Sequence, residues 1–147
     1  RCLRPSNATW SIGALPATTN LALGSPQFAA SYGIDGLGDL AEAPLIHTQS
    51  GANAHTEWHD WFAAMDRPAP TGPGFFLNNY LISLQAAEDH VGAVLGWEGL
   101  LGNSLESGRL VQLVPEAMAS PWPFYLRIHA RASANARLFA DWLAERG

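Results

Sequence analysis

The chain contains no lysine: all eight of its basic residues are arginine, a bias of GC-rich coding rather than a functional mark. Charge of either sign is scarce, at 14% of 147 residues, and the balance is acidic, 13 Asp and Glu against 8 Arg, net −5. That excludes the basic face a phosphate-neutralising surface requires. Low charge with 48% apolar residues also excludes a disordered segment. The single cysteine, Cys2, rules out an internal disulfide framework and a Cys-rich zinc site. No apolar run approaches the ~20 residues of a membrane-spanning helix. Missing too are the Gly-x-Ser-x-Gly elbow and both glycine-rich phosphate loops. What remains is a length suited to one domain or two small lobes.

The first residues, Arg1-Cys2-Leu3-Arg4-Pro5, contain neither an initiator Met nor an apolar export segment, which points to a piece of a longer protein whose leader, if it had one, is gone. Residues 1–19 read as irregular. Asn20–Gly24 is a short buried strand, and Ser25-Pro26 is an N-cap with Pro at N1, opening a helix that carries Phe28 and Tyr32 and stops at Gly33. Leu37–Ala43 is a second helix and Leu45-Ile46-His47 a strand, with residues 48–55 as loop. Trp58, Trp61, Phe62 and Met65 fall at i, i+3, i+4, i+7 in an amphipathic helix over Thr56–Asp66, with Thr56 as N-cap. Then come a strand Phe75–Leu77, a cap Asn78-Asn79, a helix Tyr80–Glu88, and a strand Val91–Trp97. A helix Gly99–Glu106, strands Leu110–Val114 and Phe124–Ile128, and a last helix opened by Ser133 or Asn135 complete the chain. That last helix has the stripe Leu138, Phe139, Trp142 and Leu143. Short strands alternating with helices indicate α/β layering.

Few residue clusters point to chemistry. His55 and His59 sit at i, i+4, a spacing zinc sites use, but Thr56 stands where a zincin has Glu, and two solvated histidines are the ordinary reading. Cys2 lies at a terminus, a poor place for an activated thiolate. No catalytic group stands out. The Asn78-Asn79 junction is a helix N-terminus with orphan N–H groups, able to hold an anion, although plain capping explains it more simply. Six tryptophans are many for this length; Trp58, Trp61 and Trp142 belong to helix stripes. Tyr80, Trp97, Trp10 and Trp122 do not, and aromatic faces can hold an ammonium group; packing is the simpler role for Trp122.

Leu23-Gly24-Ser25-Pro26-Gln27-Phe28, Leu37–Leu40, Pro44-Leu45-Ile46-His47 and Trp58-x-x-Trp61-Phe62 follow one another as in LysR-type transcriptional regulators. The likeness is densest over Phe75–Val114, in Asn78-Asn79-Tyr80, Gln85-Ala86-Ala87, Gly92–Trp97, Leu105 and Gly108-Arg109-Leu110-Val111. Phe124-Tyr125-Leu126 and the helix ending in Trp142-Leu143 close it. Over residues 20–147 the chain therefore resembles the C-terminal effector-binding domain of that family. Two places depart from the pattern: Glu88-Asp89-His90-Val91, where small residues and glycine are usual, and Ala22-Leu23-Gly24, where Val-Cys is common.

The resemblance implies an α/β, type II periplasmic-binding-protein-like fold, present here as one complete lobe with a strand and helix of the other. It places residues 1–19 in an irregular remnant of lobe I and the hinge, 20–124 in lobe II, and 125–147 in the strand and helix that return to lobe I. It further implies a cytoplasmic bacterial regulator that is not an enzyme and has no cofactor or metal. Its ligand would be a small effector held between lobes by Asn78, Asn79, Tyr80, Trp97, His47, Thr48 and Trp10. Partners would be a second copy, as dimer or tetramer, and DNA only through a winged-helix module outside this sequence; no membrane is involved. Asn-Asn-Tyr followed by Leu-Gly-Trp is similar to the glycine-cleavage and choline-sulphate branch, hence a zwitterionic or quaternary-ammonium effector. With lobe I incomplete, the stripe Leu138/Phe139/Trp142/Leu143 is expected to drive dimerisation, swapping or repacking on lobe II. The rivals are a solute-binding protein of a transporter, which shares the fold, and a small metal-dependent hydrolase built on His55 and His59.

Overall fold

A computed structural model describes residues 10–14, 18–49, 56–121 and 124–146. The chain divides into two compact units, Thr18–Trp122 and a smaller one of Arg1–Ala17 with Pro123–Gly147.

The larger unit is built on a five-stranded sheet ordered β4-β3-β5-β2-β6. Its strands are β2 (Thr19–Gly24), β3 (Leu45–Thr48), β4 (Gly74–Leu77), β5 (Ala93–Trp97) and β6 (Val111–Ala119). β3 runs parallel to β4 and β5, whereas β2 is antiparallel to both β5 and β6. Helices cover both faces, and the two-residue period of the strands sorts their side chains between them. Ala22, Leu45, Ala93 and Leu113 face a core shared with α1 (Pro26–Tyr32), α2 (Leu37–Glu42) and α3 (Trp58–Ala64). Leu21, Leu23, Ile46 and Val94 face the other way, onto Leu84 and Ala87 of α4 (Tyr80–Glu88) and onto Leu101 and Leu110.

Local signals work as the residues demand. Ser25 Oγ accepts from the Phe28 N–H at 3.0 Å, Pro26 occupies the first turn, and Gly33 closes α1 at φ +56°. Asn79 Oδ1 accepts from the N–H groups of Leu81 and Ile82, capping α4. Where the likeness to the regulators breaks, at Glu88-Asp89-His90-Val91, the turn survives: His90 takes φ +65°, a left-handed conformation costing a non-glycine residue roughly 1–2 kcal/mol. Its Nδ1 lies 2.6 Å from Ser25 Oγ. The hydrogen bond between the two side chains offsets part of the strain.

Four expectations are corrected. α3 begins at Trp58 with Glu57, not Thr56, at its N-cap; the Glu57 N–H donates to Asp60 Oδ2, and Thr56 instead accepts from Asn20 Nδ2. The Gly99–Glu106 helix is broken into a 3₁₀ turn (Glu98–Leu100) and α5 (Asn103–Glu106) by Gly102 at φ +48°. β6 does not stop at Val114 but runs through Pro115, because Leu21 pairs with Ala117 and Leu23 with Gln112. Proline, lacking an N–H, is tolerated in that bulge on an edge strand. Finally, residues 10–14 are not irregular but form β1 (Trp10–Ala14).

In the smaller unit β1 pairs antiparallel with β7 (Tyr125–His129), Trp10 opposite His129 and Ala14 opposite Tyr125. A turn leads to α6 (Ala134–Arg146), where Ser133 Oγ accepts from the Ala136 N–H and Arg137 Nη2 donates to the Ala130 carbonyl. Leu138, Phe139 and Trp142 on α6 are 66%, 59% and 45% exposed, and Ala140 is buried.

Candidate functional site

In a sheet with parallel strands, a crevice opens where strand carboxyl ends meet helix N-termini. Here the ends of β3 and β5 converge with the starts of α3 and α4 and with the antiparallel β2. Asn20, His47, Thr48, Thr56, Glu57, Trp58, Phe76, Tyr80 and Trp97 are among the residues that line the resulting concavity, which encloses about 40 Å³. That is room for a few waters or one small head group.

Its walls are fixed from behind. Trp58 Nε1 donates to the Ile46 carbonyl and Trp61 Nε1 to the Asn20 carbonyl, pinning α3 across the ends of β3 and β2. Thr48 Oγ1 donates to Ser83 Oγ, which donates to the Asn79 carbonyl, tying the end of β3 to the first turn of α4. The Tyr80 hydroxyl accepts from the Trp97 N–H at 3.1 Å, and their rings meet at 4.8 Å with a 52° tilt. Burial raises the Tyr80 pKa, which the Trp97 N–H partly offsets, so the phenol stays neutral. The His47 ring stacks on Phe76 at 4.7 Å, and a Cβ at Gly74 would stand 3.1 Å from it. Burial depresses the His47 pKa below the usual histidine range; Glu57 pulls it back up and His59 pushes it further down.

Of the residues expected from the sequence, His47, Thr48, Tyr80 and Trp97 thus share one concavity. Asn78 and Asn79 lie at its margin, outside the lining, and the Asn79 side-chain oxygen is used by the cap. Trp10 is placed by its backbone on β1 of the smaller unit. His55, Cys2 and Trp122 lie outside the described residues. His59 is exposed, 3.3 Å from Glu57 Oε2 and 3.1 Å from Asp60 Oδ1, and no group of three or more potential metal ligands occurs among the described residues. Sequence reading missed Asn20, Glu57 and Phe76. The first joins the site only because β2 runs against β5, and Phe76 only because β4 sets it opposite His47. Glu57 reaches it as the N-cap of α3, one residue beyond the Thr56 cap that the sequence suggests.

Comparison with known proteins decides the family. The model of the LysR substrate binding domain matches residues 19–147. The chain belongs to that family. It is 31% identical over 109 residues to the HTH-type transcriptional regulator y4mQ of Sinorhizobium fredii, 71% of this chain and 36% of that protein. It superposes on the effector domain of the regulator AmpR of Pseudomonas aeruginosa with TM-score 0.69 and 22% identity, covering 95% of this chain and 66% of that one. For the regulatory domain of CrgA from Neisseria meningitidis the values are 0.68 and 22%, over 99% and 72%. The chain thus spans about a third of the length of its curated relative. The architecture is the periplasmic-binding-protein-like type II fold of LysR effector domains. Among the described residues no helix is long and apolar enough to cross a membrane.

Proposed function

We propose that this chain is the effector-sensing part of a bacterial LysR-type regulator, and that the concavity of its larger unit receives a small zwitterionic or quaternary-ammonium metabolite. The observation that carries the reading is the family match over residues 19–147, together with a crevice at the strand ends where His47, Thr48, Tyr80 and Trp97 converge. Tyr80 and Trp97 supply ring faces for a trimethylammonium group. The positive end of the α4 dipole beside Asn78 and Asn79 favours an anionic end.

On this reading the larger unit is lobe II and the smaller one the returning part of lobe I. Effector binding shifts a lobe-closure equilibrium, and that shift alters how a self-associated, cytoplasmic regulator presents a DNA-binding module located elsewhere in the polypeptide. The protein makes and breaks no bonds and needs no cofactor. The choline and betaine branch supplies the first ligands to try. Calorimetric titration with choline, glycine betaine and choline sulphate is expected to show saturable heat for at least one. Trp97→Ala is expected to weaken that binding by about 0.5–2 kcal/mol, the worth of a cation–π contact. Silence toward all three would remove this ligand class.

A further inference from the structure

We propose that the concavity is a charge filter set by Glu57, which admits a permanently cationic head group ahead of its uncharged or anionic analogues. The inference rests on the ligand-binding reading above and adds to it a residue and a sign. Among the described residues that line the concavity none is Arg, and Glu57 is the one acidic residue. Trp58, Phe76, Tyr80 and Trp97 add ring faces, whose quadrupoles attract cations as the carboxylate does. The Glu57 carboxylate is held at the N-cap of α3, and its influence reaches His47 across the cavity.

His47 completes the device. Its ring stacks on Phe76 beside Gly74, where a Cβ would stand 3.1 Å away, so leaving the cavity would cost it the stack. The titratable groups facing it are Glu57 and His59 from α3 and Tyr80 from α4. At neutral pH burial keeps the imidazole uncharged, so His47 sets no positive charge against Glu57 in the site. On acidification His47 gains a positive charge inside the site, so affinity for a cation falls as pH drops below the ordinary histidine pKa.

Three probes of one shape read the filter: choline, its uncharged analogue 3,3-dimethylbutan-1-ol, and the anion 3,3-dimethylbutyrate, each titrated calorimetrically into the full chain. Choline is expected to bind tightest. Glu57→Gln lowers its affinity about three- to fivefold, the scale of a half-exposed ion pair, and leaves the uncharged analogue unchanged. Glu57→Asp, which keeps both the charge and the cap, restores most of the loss and so separates charge from folding. Choline affinity falls between pH 7 and pH 5.5 in the unaltered chain and falls less steeply in His47→Asn. Equal binding of choline and the alcohol, tighter binding of the anion, or no effect of Glu57→Gln on choline overturns the filter while leaving an effector site in place. An unaltered chain whose choline affinity does not change with pH overturns the part given to His47. Failure of all three probes to bind removes the filter and the quaternary-ammonium reading together.

Discussion

α3 and α6 carry nearly the same message in sequence and meet opposite fates. Each has an aromatic-rich stripe at helical spacing, Trp58/Trp61/Phe62 in one and Leu138/Phe139/Trp142 in the other. On α3 all three residues are buried, 1% exposed or less, and pack on Ala22, Leu45 and Ala93. On α6 each is at least 45% exposed. Periodicity states that a helix has an apolar face; it does not state what lies against it. Among the described residues, the larger unit owns a two-sided core around five strands, while the smaller owns one strand pair and one helix. Stability in this chain is therefore concentrated between Thr18 and Trp122.

The sharpest way to break that comparison is at Trp61. Its side chain is fully buried, and its indole N–H spans to the Asn20 carbonyl. Trp61→Ala leaves a cavity and an orphaned carbonyl acceptor, and is expected to cost about 3–5 kcal/mol, enough to unfold much of the larger unit. Urea denaturation followed by far-ultraviolet circular dichroism measures it. A loss below 1 kcal/mol would mean that α3 is not the keystone of this core.

How much of this was legible beforehand follows from where the information sits. Caps are local, so Ser25-Pro26, Gly33 and Asn79 announced α1 and α4 almost to the residue. Strand residues such as Leu45-Ile46 were equally plain, being short apolar runs bounded by breakers. What escaped depends on pairing. The strand Trp10–Ala14 has no strong pattern of its own and exists because Tyr125–His129 lies alongside it. Pro115 lacks an N–H to pair, and only the bulge against Leu21 and Leu23 lets β6 continue past Val114. The site divides in the same way. Tyr80 and Trp97 stood out as aromatics without a helix stripe to explain them. Asn20 and Phe76 could not stand out, since register alone carries them to the cavity.

A smaller perturbation tests the other face of the same sheet. A Cβ on Gly96 would collide with Leu23 Cδ1 and stand 2.9 Å from Leu101 Cδ2. Gly96→Ala is therefore expected to cost about 1–3 kcal/mol through overpacking. The Tyr80 hydroxyl lies 3.5 Å from that point, an ordinary contact, so the displaced leucines alone can carry the change to the ring pair that lines the cavity. Thermal melting reads the first effect and quenching of tryptophan fluorescence the second; an unchanged melting temperature would show that this layer has slack. Asn79→Ala comes next, at about 1 kcal/mol for a lost cap. Its readout is faster amide exchange at Leu81 and Ile82, with most of the core still protected.

The smallest effect is expected where the stripe is most conspicuous. Leu138 is 66% exposed, so Leu138→Ala removes little buried area, and alanine is the better helix former. The change in unfolding free energy of the chain should stay within about 0.5 kcal/mol, the range of surface substitutions. Hydrogen exchange should place α6 among the first segments to open, since few of its side chains are buried. The outcome matters more than its size. A loss of 2 kcal/mol or more would show that Leu138 is covered in solution, and the contrast with α3 would then collapse into two helices packed alike. If the loss grows with protein concentration, the cover is a second copy; if it does not, the cover lies within the chain.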